Sequence, residues 1–215
     1  CLGRERSALA ADACENARTD ANYYFPKLIT EKPEMKVVRD ILEPVAGVSN
    51  EIGFYLAGMN EVRAQLSDAV RDLTVEQIAK RAVEGAHSIG ELLLHIGEAE
   101  WWWTECIMEG HKLTRKDKNS PFWDVLKYPE KFASQNLSAE DCLRIVGEIR
   151  ENTGTKLAAF AGDDMDKALF NMKRRGNKYE FSLRWILHHL IDHEAQHKGQ
   201  ILMLKRLLTG QKKEF

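Results

Sequence analysis

Four of the seven histidines in this chain fall within ten residues: His188, His189, His193 and His197. His189, His193 and His197 repeat at i, i+4 and i+8, so on a helix they climb one side. Two neutral imidazoles at i and i+4 can converge on one metal ion at roughly 2.0–2.1 Å each. Partners from another helix must complete such a site. His95 is the other histidine inside a helical pattern with apolar neighbours, on a seam with Leu92, Ala99, Trp102 and Cys106. His87 and His111 fall at helix ends in polar surroundings. Ligation by His95, His193 and His197 leaves positions open for water or substrate, the pattern of a catalytic rather than a closed structural metal site. The competing reading makes these histidines hydrogen-bonded core residues. Three unpaired imidazoles are costly to bury, however, and a metal ion removes that cost.

The run Trp101-Trp102-Trp103 flanks the same seam. Successive helical residues turn by about 100°, so at most two of the three can enter a core. Trp102, seven residues beyond His95, is expected on the pocket side, and His189 lies one step off the seam. Trp185, four residues before His189, is expected to wall the same cavity; core filling and an interface tryptophan are the plainer alternatives. Glu91 and Glu98 stand at i−4 and i+3 from His95, where a carboxylate could orient the ring or act as a base. Solvated capping or surface carboxylates are the plainer reading of both; no catalytic residue is assigned, and Glu98 is the candidate. Asp192 and Glu194 fall off the seam and read as surface charge. Cys106 lies about 16 Å along the helix from His95, too far to ligate, and reads with Cys142 as core.

These side chains need long helices to hold them. Apolar residues at spacings of three and four run from about Val37 to Leu73, as one helix or as two joined near 47–50. Ser88 with Glu91 has the capping-box pattern and opens a second helix to about Met108, before Gly110. Residues 109–137 contain Pro121 and Pro129 and are expected to form a long connection with at most a short helical turn. Ser138 with Asp141 opens a third helix to about Phe160. A fourth runs from about Ser182 to Leu208 and stops before Gly210. Its seams read Leu183, Leu190, His197, Leu204 and Ile186, His193, Gln200, Leu207, which turns His193 and His197 inward. No strand-period segment is evident. The expected fold is therefore all-α: a four-helix bundle with one long crossover connection over residues 35–215, preceded by a weakly ordered extension at 1–34.

Composition narrows the function classes. The 215 residues carry 31 basic and 33 acidic side chains, a net charge of −2, with 44% hydrophobic residues. So even a balance gives no electrostatic footprint for nucleic acid or an anionic membrane surface. The longest stretch without Asp, Glu, Lys or Arg is nine residues, 52–60, against about 20 for a spanning helix. Four cysteines without a CxxC pair suit a reducing compartment and exclude a cysteine-built zinc site, so a cytoplasmic location is expected. The opening Cys1 is expected of a trimmed or partial reading frame; an exported lipoprotein is the minor alternative.

The segment from Phe181 to Ile201, with His193, His197 and then Gly199-Gln200-Ile201, resembles the last-helix signature of the DinB/YfiT-like superfamily. The segment Ser88–Trp102 resembles that superfamily's second helix, whose histidine supplies a third ligand. Leu183-Arg184-Trp185, with Glu100 and the tryptophans after His95, leans towards an uncharacterised, Trp-rich branch. The resemblance covers about residues 50–209. It implies a four-helix bundle, one divalent metal ion on His95, His193 and His197, and frequent homodimers. Zn²⁺ and Ni²⁺ are the ions that best suit imidazole ligands. It also implies a small-molecule substrate, with thiol-dependent S-transfer, isomerisation or hydrolysis as the reaction and bacillithiol or mycothiol as low-molecular-weight thiol cosubstrate. Lys198 stands where many relatives carry Arg. The alternative from another class is a non-catalytic helical protein, in a stress-related or interaction role, with a structural or vestigial metal site.

Overall fold

The computed structural model describes residues 40–210; the expected extension at 1–34 and the start of the Val37 pattern lie outside the described residues. Helix α1 spans Asn50–Val70, and the expectation of helix before it fails for residues 40–49. Pro44 lacks an N–H and disfavours helical backbone at Glu43, and Gly47 turns the chain at φ +88°. The Val45 N–H donates to the Gly53 carbonyl at 3.1 Å, which leaves Ile41 and Leu42 exposed.

After the short α2 (Val75–Ala79), α3 spans Ile89–Trp101 from the expected cap. Ser88 Oγ accepts from the Glu91 N–H, and Glu91 Oε2 accepts from the Ser88 N–H, each at 3.2 Å. Beyond Trp101 the helix widens into a π-helical turn, Trp102–Met108. The Thr104 hydroxyl donates to the Glu100 carbonyl at 2.9 Å, competing for the acceptor that an α-turn would use. Gly110 ends the segment at φ +69°. The 109–137 connection carries two short helices rather than one turn, α4 (Arg115–Lys118) and α5 (Pro129–Ala133). Helix α6 spans Ala139–Leu157 from a Ser138/Asp141 capping box.

Past α7 (Asp164–Lys167) comes the main departure from the expected all-helical chain. An antiparallel hairpin pairs β1 (Leu169–Arg174) with β2 (Asn177–Ser182), in the register Phe170↔Phe181, Met172↔Tyr179, Arg174↔Asn177. Phe170, Met172, Tyr179 and Phe181 alternate with polar residues, a period-2 pattern around Arg175-Gly176. The strands are too short to stand out against the helical periodicity on either side. Helix α8 (Leu183–Thr209) starts where Ser182 Oγ accepts from the Trp185 N–H and ends at Gly210, φ +66°.

The protein is mostly helical. Helix α1 packs on α8, α8 on α3, α3 on α6 and α6 on α1. One apolar cluster joins Leu66, Leu93, Ile96, Ile145 and Leu204. Another joins Ile52, Leu56, Met59, Leu157, Ile186 and Leu187 under the hairpin. Leu183, Leu190 and Leu204 of the first α8 seam are buried, whereas the second seam reaches the surface at Gln200 and Leu207. Among the described residues no helix is long and apolar enough to cross a membrane.

Four charges meet between the long helices, one from each: Glu100 (α3), Arg150 (α6) and Glu194 (α8) are buried, and Arg63 (α1) is part-buried. Arg150 donates from Nε to Glu100 Oε1 at 2.7 Å and from Nη2 to Glu194 Oε2 at 2.8 Å. Arg63 Nη2 donates to Glu100 Oε2 at 3.1 Å, and its Nε donates to Glu194 Oε1. Glu194 is thus 2% exposed, which corrects its reading as surface charge; Asp192 is exposed as expected. Burial by itself would raise the Glu100 carboxyl, but Arg150 and Arg63 hold it below the usual carboxylate range.

Candidate metal centre and its pocket

The cap at Ser88 places His95 in the second turn of α3, and the cap at Ser182 places His193 and His197 midway along α8. Because α3 and α8 are neighbours, the three rings meet. Their centroids lie 5.2 Å apart for His95–His193, 5.1 Å for His95–His197 and 4.5 Å for His193–His197. One ring nitrogen from each falls within 4.8 Å of the others, and this is the group of three metal-competent side chains among the described residues.

Hydrogen bonds on the far side of two rings select the tautomer. His95 Nδ1 faces Glu98 Oε2 at 3.3 Å, and His197 Nδ1 faces Gln200 Oε1 at 2.8 Å. Carboxylate and amide oxygens only accept, so each Nδ1 carries the proton and each Nε2 keeps its lone pair for a metal. Nε2 of His193 and His197 approach to 3.2 Å. Burial first, then the neighbouring His197 and His95, push the His193 imidazole down to about 3. Burial also lowers His197, against the opposing bond from Gln200. Ring nitrogens converging from three imidazoles fit a divalent cation.

Glu98 does more than touch His95. Its Oε1 accepts from the Asp124 N–H at 2.8 Å, so one carboxylate joins α3 to the long connection. Asp124 is held there at φ +56°, in the left-handed region. A residue with a Cβ rarely adopts that conformation without surrounding contacts that enforce it. Glu91, the other carboxylate near His95 in sequence, is committed to its cap and to Arg81 and His87.

A cavity of about 420 Å³ opens beside the imidazoles, lined by His95, Glu98, Trp102, Trp103, Trp123, Asp124, Lys127, His189 and His193. Trp102 and His189 both line this cavity. Trp185 does not line this cavity; it is 41% exposed and lies in the adjacent groove, its ring stacked on His189 at 4.9 Å. Burial lowers the His189 pKa. Trp103, 7% exposed, packs on Phe181, Trp185 and His189, and Trp101 packs on Phe122 and Trp123. Trp123, Asp124 and Lys127 come from the 109–137 connection, where no motif in the sequence singles them out. Cys106 is half-buried and Cys142 fully buried. Burial raises both thiols, Cys142 to about 12, so neither favours a thiolate.

A family model described as mycothiol S-transferase matches residues 56–210, the span that contains all three imidazoles. Comparison with curated proteins finds no match.

Proposed function

Because the chain belongs to the mycothiol S-transferase family, within the DinB/YfiT-like superfamily, we propose that it is a metal-dependent enzyme. It transfers a low-molecular-weight thiol to a small electrophile at His95, His193 and His197. The observation that carries this reading is the convergence of three imidazoles at the side of an aromatic-walled cavity. A divalent ion such as Zn²⁺ or Ni²⁺, held by His95, His193 and His197, would supply Lewis acidity to a thiol or water beside it.

The protein's own groups supply the rest. Glu98 holds the His95 tautomer and ties the pocket wall at Asp124 to the ligand helix. Gln200 does the same for His197. Trp102 and Trp103 give the cavity an apolar wall, and Lys127 and Asp124 add polar lining. No side chain is assigned as proton acceptor; Glu98 is engaged on both oxygens and is a positioning residue.

The buried Arg63–Glu100–Arg150–Glu194 set already joins the four long helices. The packing of α1, α8, α3 and α6 supports the four-helix bundle with a long 109–137 crossover as part of the proposal. A fold held in this way does not need the ion, so removing it with a chelator is expected to lower Tm by only a few degrees. A structural ion coupled to folding gives a far larger drop. The homodimer belongs to the same proposal, and light scattering showing one chain's mass removes it. The deciding experiment incubates metal-loaded protein with mycothiol and a simple electrophile such as monochlorobimane and follows conjugate formation. Wild type is expected to conjugate well above the uncatalysed rate and His193→Ala is not; equal rates in the two proteins contradict the reading.

A further inference from the structure

A second groove, of about 610 Å³, continues from the metal-side cavity and shares Trp102, Trp103 and His189 with it. Its outer half is built by the hairpin, with Met172, Tyr179 and Phe181 on one strand face and Trp185 of α8 beside them. The rings form a ladder. Tyr179 stacks on Phe181 with planes 6° apart, Phe181 meets Trp185 at 4.7 Å, Trp185 stacks on His189 at 4.9 Å, and His189 meets His193 at 5.9 Å.

Arg174 and Arg175, both solvent-exposed, also line the groove. Arg174 shares the strand face of Met172 and Tyr179. Lys178, on the opposite face, is paired with Glu180 at 2.6 Å. Among the described residues no carboxylate pairs with Arg174 or Arg175. Arg175 occupies the first central position of the hairpin turn at φ +50°, followed by Gly176 at +79°. That turn favours Asn, Asp or Gly at both positions, so an arginine there carries backbone strain that folding alone does not call for.

We propose that this groove binds a ring-bearing carboxylate. Its ring lies on the Tyr179–Phe181–Trp185 ladder and its carboxylate is taken by Arg174 and Arg175. Guanidinium forks match the planar carboxylate, and aromatic walls match a flat ring. A molecule anchored there points its other end past His189 towards the imidazoles. As a description of the electrophile in thiol transfer, the inference rests on the proposed function; as a binding site it does not.

The test compares 1-naphthoate with 1-naphthamide, a matched uncharged shape, by calorimetry on the full chain at low salt, with and without chelator. The acid is expected to bind about tenfold more tightly than the amide, the size of a charge-assisted contact discounted for solvent exposure. In Arg174→Gln/Arg175→Gly, where glycine suits the turn, the preference disappears and Tm does not fall. Trp185→Ala weakens both ligands alike. Equal binding of acid and amide overturns the proposal, as does a preference that survives the double variant. A preference lost with the chelator also overturns it, because the ion is then the carboxylate's partner. Conjugation of mycothiol to uncharged monochlorobimane, followed on the same samples, separates the two ideas. Transfer without an acid preference removes the groove assignment alone; an Arg-dependent preference without transfer upholds the groove while the transferase reading falls.

Discussion

Glu194 is the side chain on which the seating of α8 depends most directly. Its carboxylate, 2% exposed, accepts from Arg63 Nε, from Arg63 Nη2 at 3.2 Å and from Arg150 Nη2 at 2.8 Å. With Glu100 it balances two guanidiniums, so Glu194→Ala turns a buried neutral set into one with an unpaired positive charge. Breaking a buried set in this way costs about 3–5 kcal/mol. For a chain of this size each kcal/mol lowers Tm by about 2–4 °C, so a fall of about 6–20 °C is expected in a thermal melt followed by circular dichroism. The size of that fall comes from the stranded charge, and a second substitution can show it. Arg63→Met in the Glu194→Ala background restores charge balance, so the double variant should lose at least about 1 kcal/mol less than the two single losses added together. His193 precedes Glu194, so metal affinity should fall in the single variant and recover in part in the double. A Tm drop under about 3 °C, or strictly additive losses, refutes the reasoning: the four charges would then be solvated and α8 would be seated by apolar contacts alone.

Three further outcomes are expected. Glu98→Ala removes the acceptor from His95 Nδ1 and the tie to Asp124 and should weaken metal binding about 10–100-fold in a chelator competition; unchanged affinity contradicts a positioning role. Gly90→Ala puts a Cβ 2.0 Å from Phe132 Cζ, so α5 must shift, at a cost of about 1–3 kcal/mol visible in urea melts. His193 stays neutral in the folded, metal-free chain down to about 3, while in the unfolded chain it takes a proton near its ordinary value of 6.5. The unfolded state therefore binds more protons in that window, and metal-free stability should fall as pH drops from about 7.5 to about 5.5. His193→Leu should flatten the slope, and a metal-free wild type with no slope contradicts the assignment of a neutral, buried imidazole.

Much of the site is legible in the sequence because it rests on local rules. Ser88 with Glu91 and Ser182 at the start of α8 fix where the ligand helices begin, and the i, i+4 repeat then fixes which side the imidazoles take. What escapes is long-range. Glu194 looks like a surface residue on its own helix because the arginines that neutralise it lie 131 and 44 positions away. Arg150, set on the buried face of α6 with Val146, Ile149 and Thr153, is the trace that a buried acidic partner is required. The hairpin is masked by six-residue strands between helices. Trp103 is the most buried of the three consecutive tryptophans at 7% exposed, a choice that regular helical spacing does not make on its own. The Glu98–Asp124 contact joins α3 to a connection whose path no periodicity describes.

The most direct test of a three-histidine metal centre is the metal content of purified protein, measured by elemental mass spectrometry on wild type, His95→Ala and His193→Ala after reloading and desalting. About one divalent ion per chain in wild type, lost in both variants, is the expected result. Full occupancy retained in His193→Ala, or no ion in reloaded wild type, contradicts it and leaves the three imidazoles as core residues.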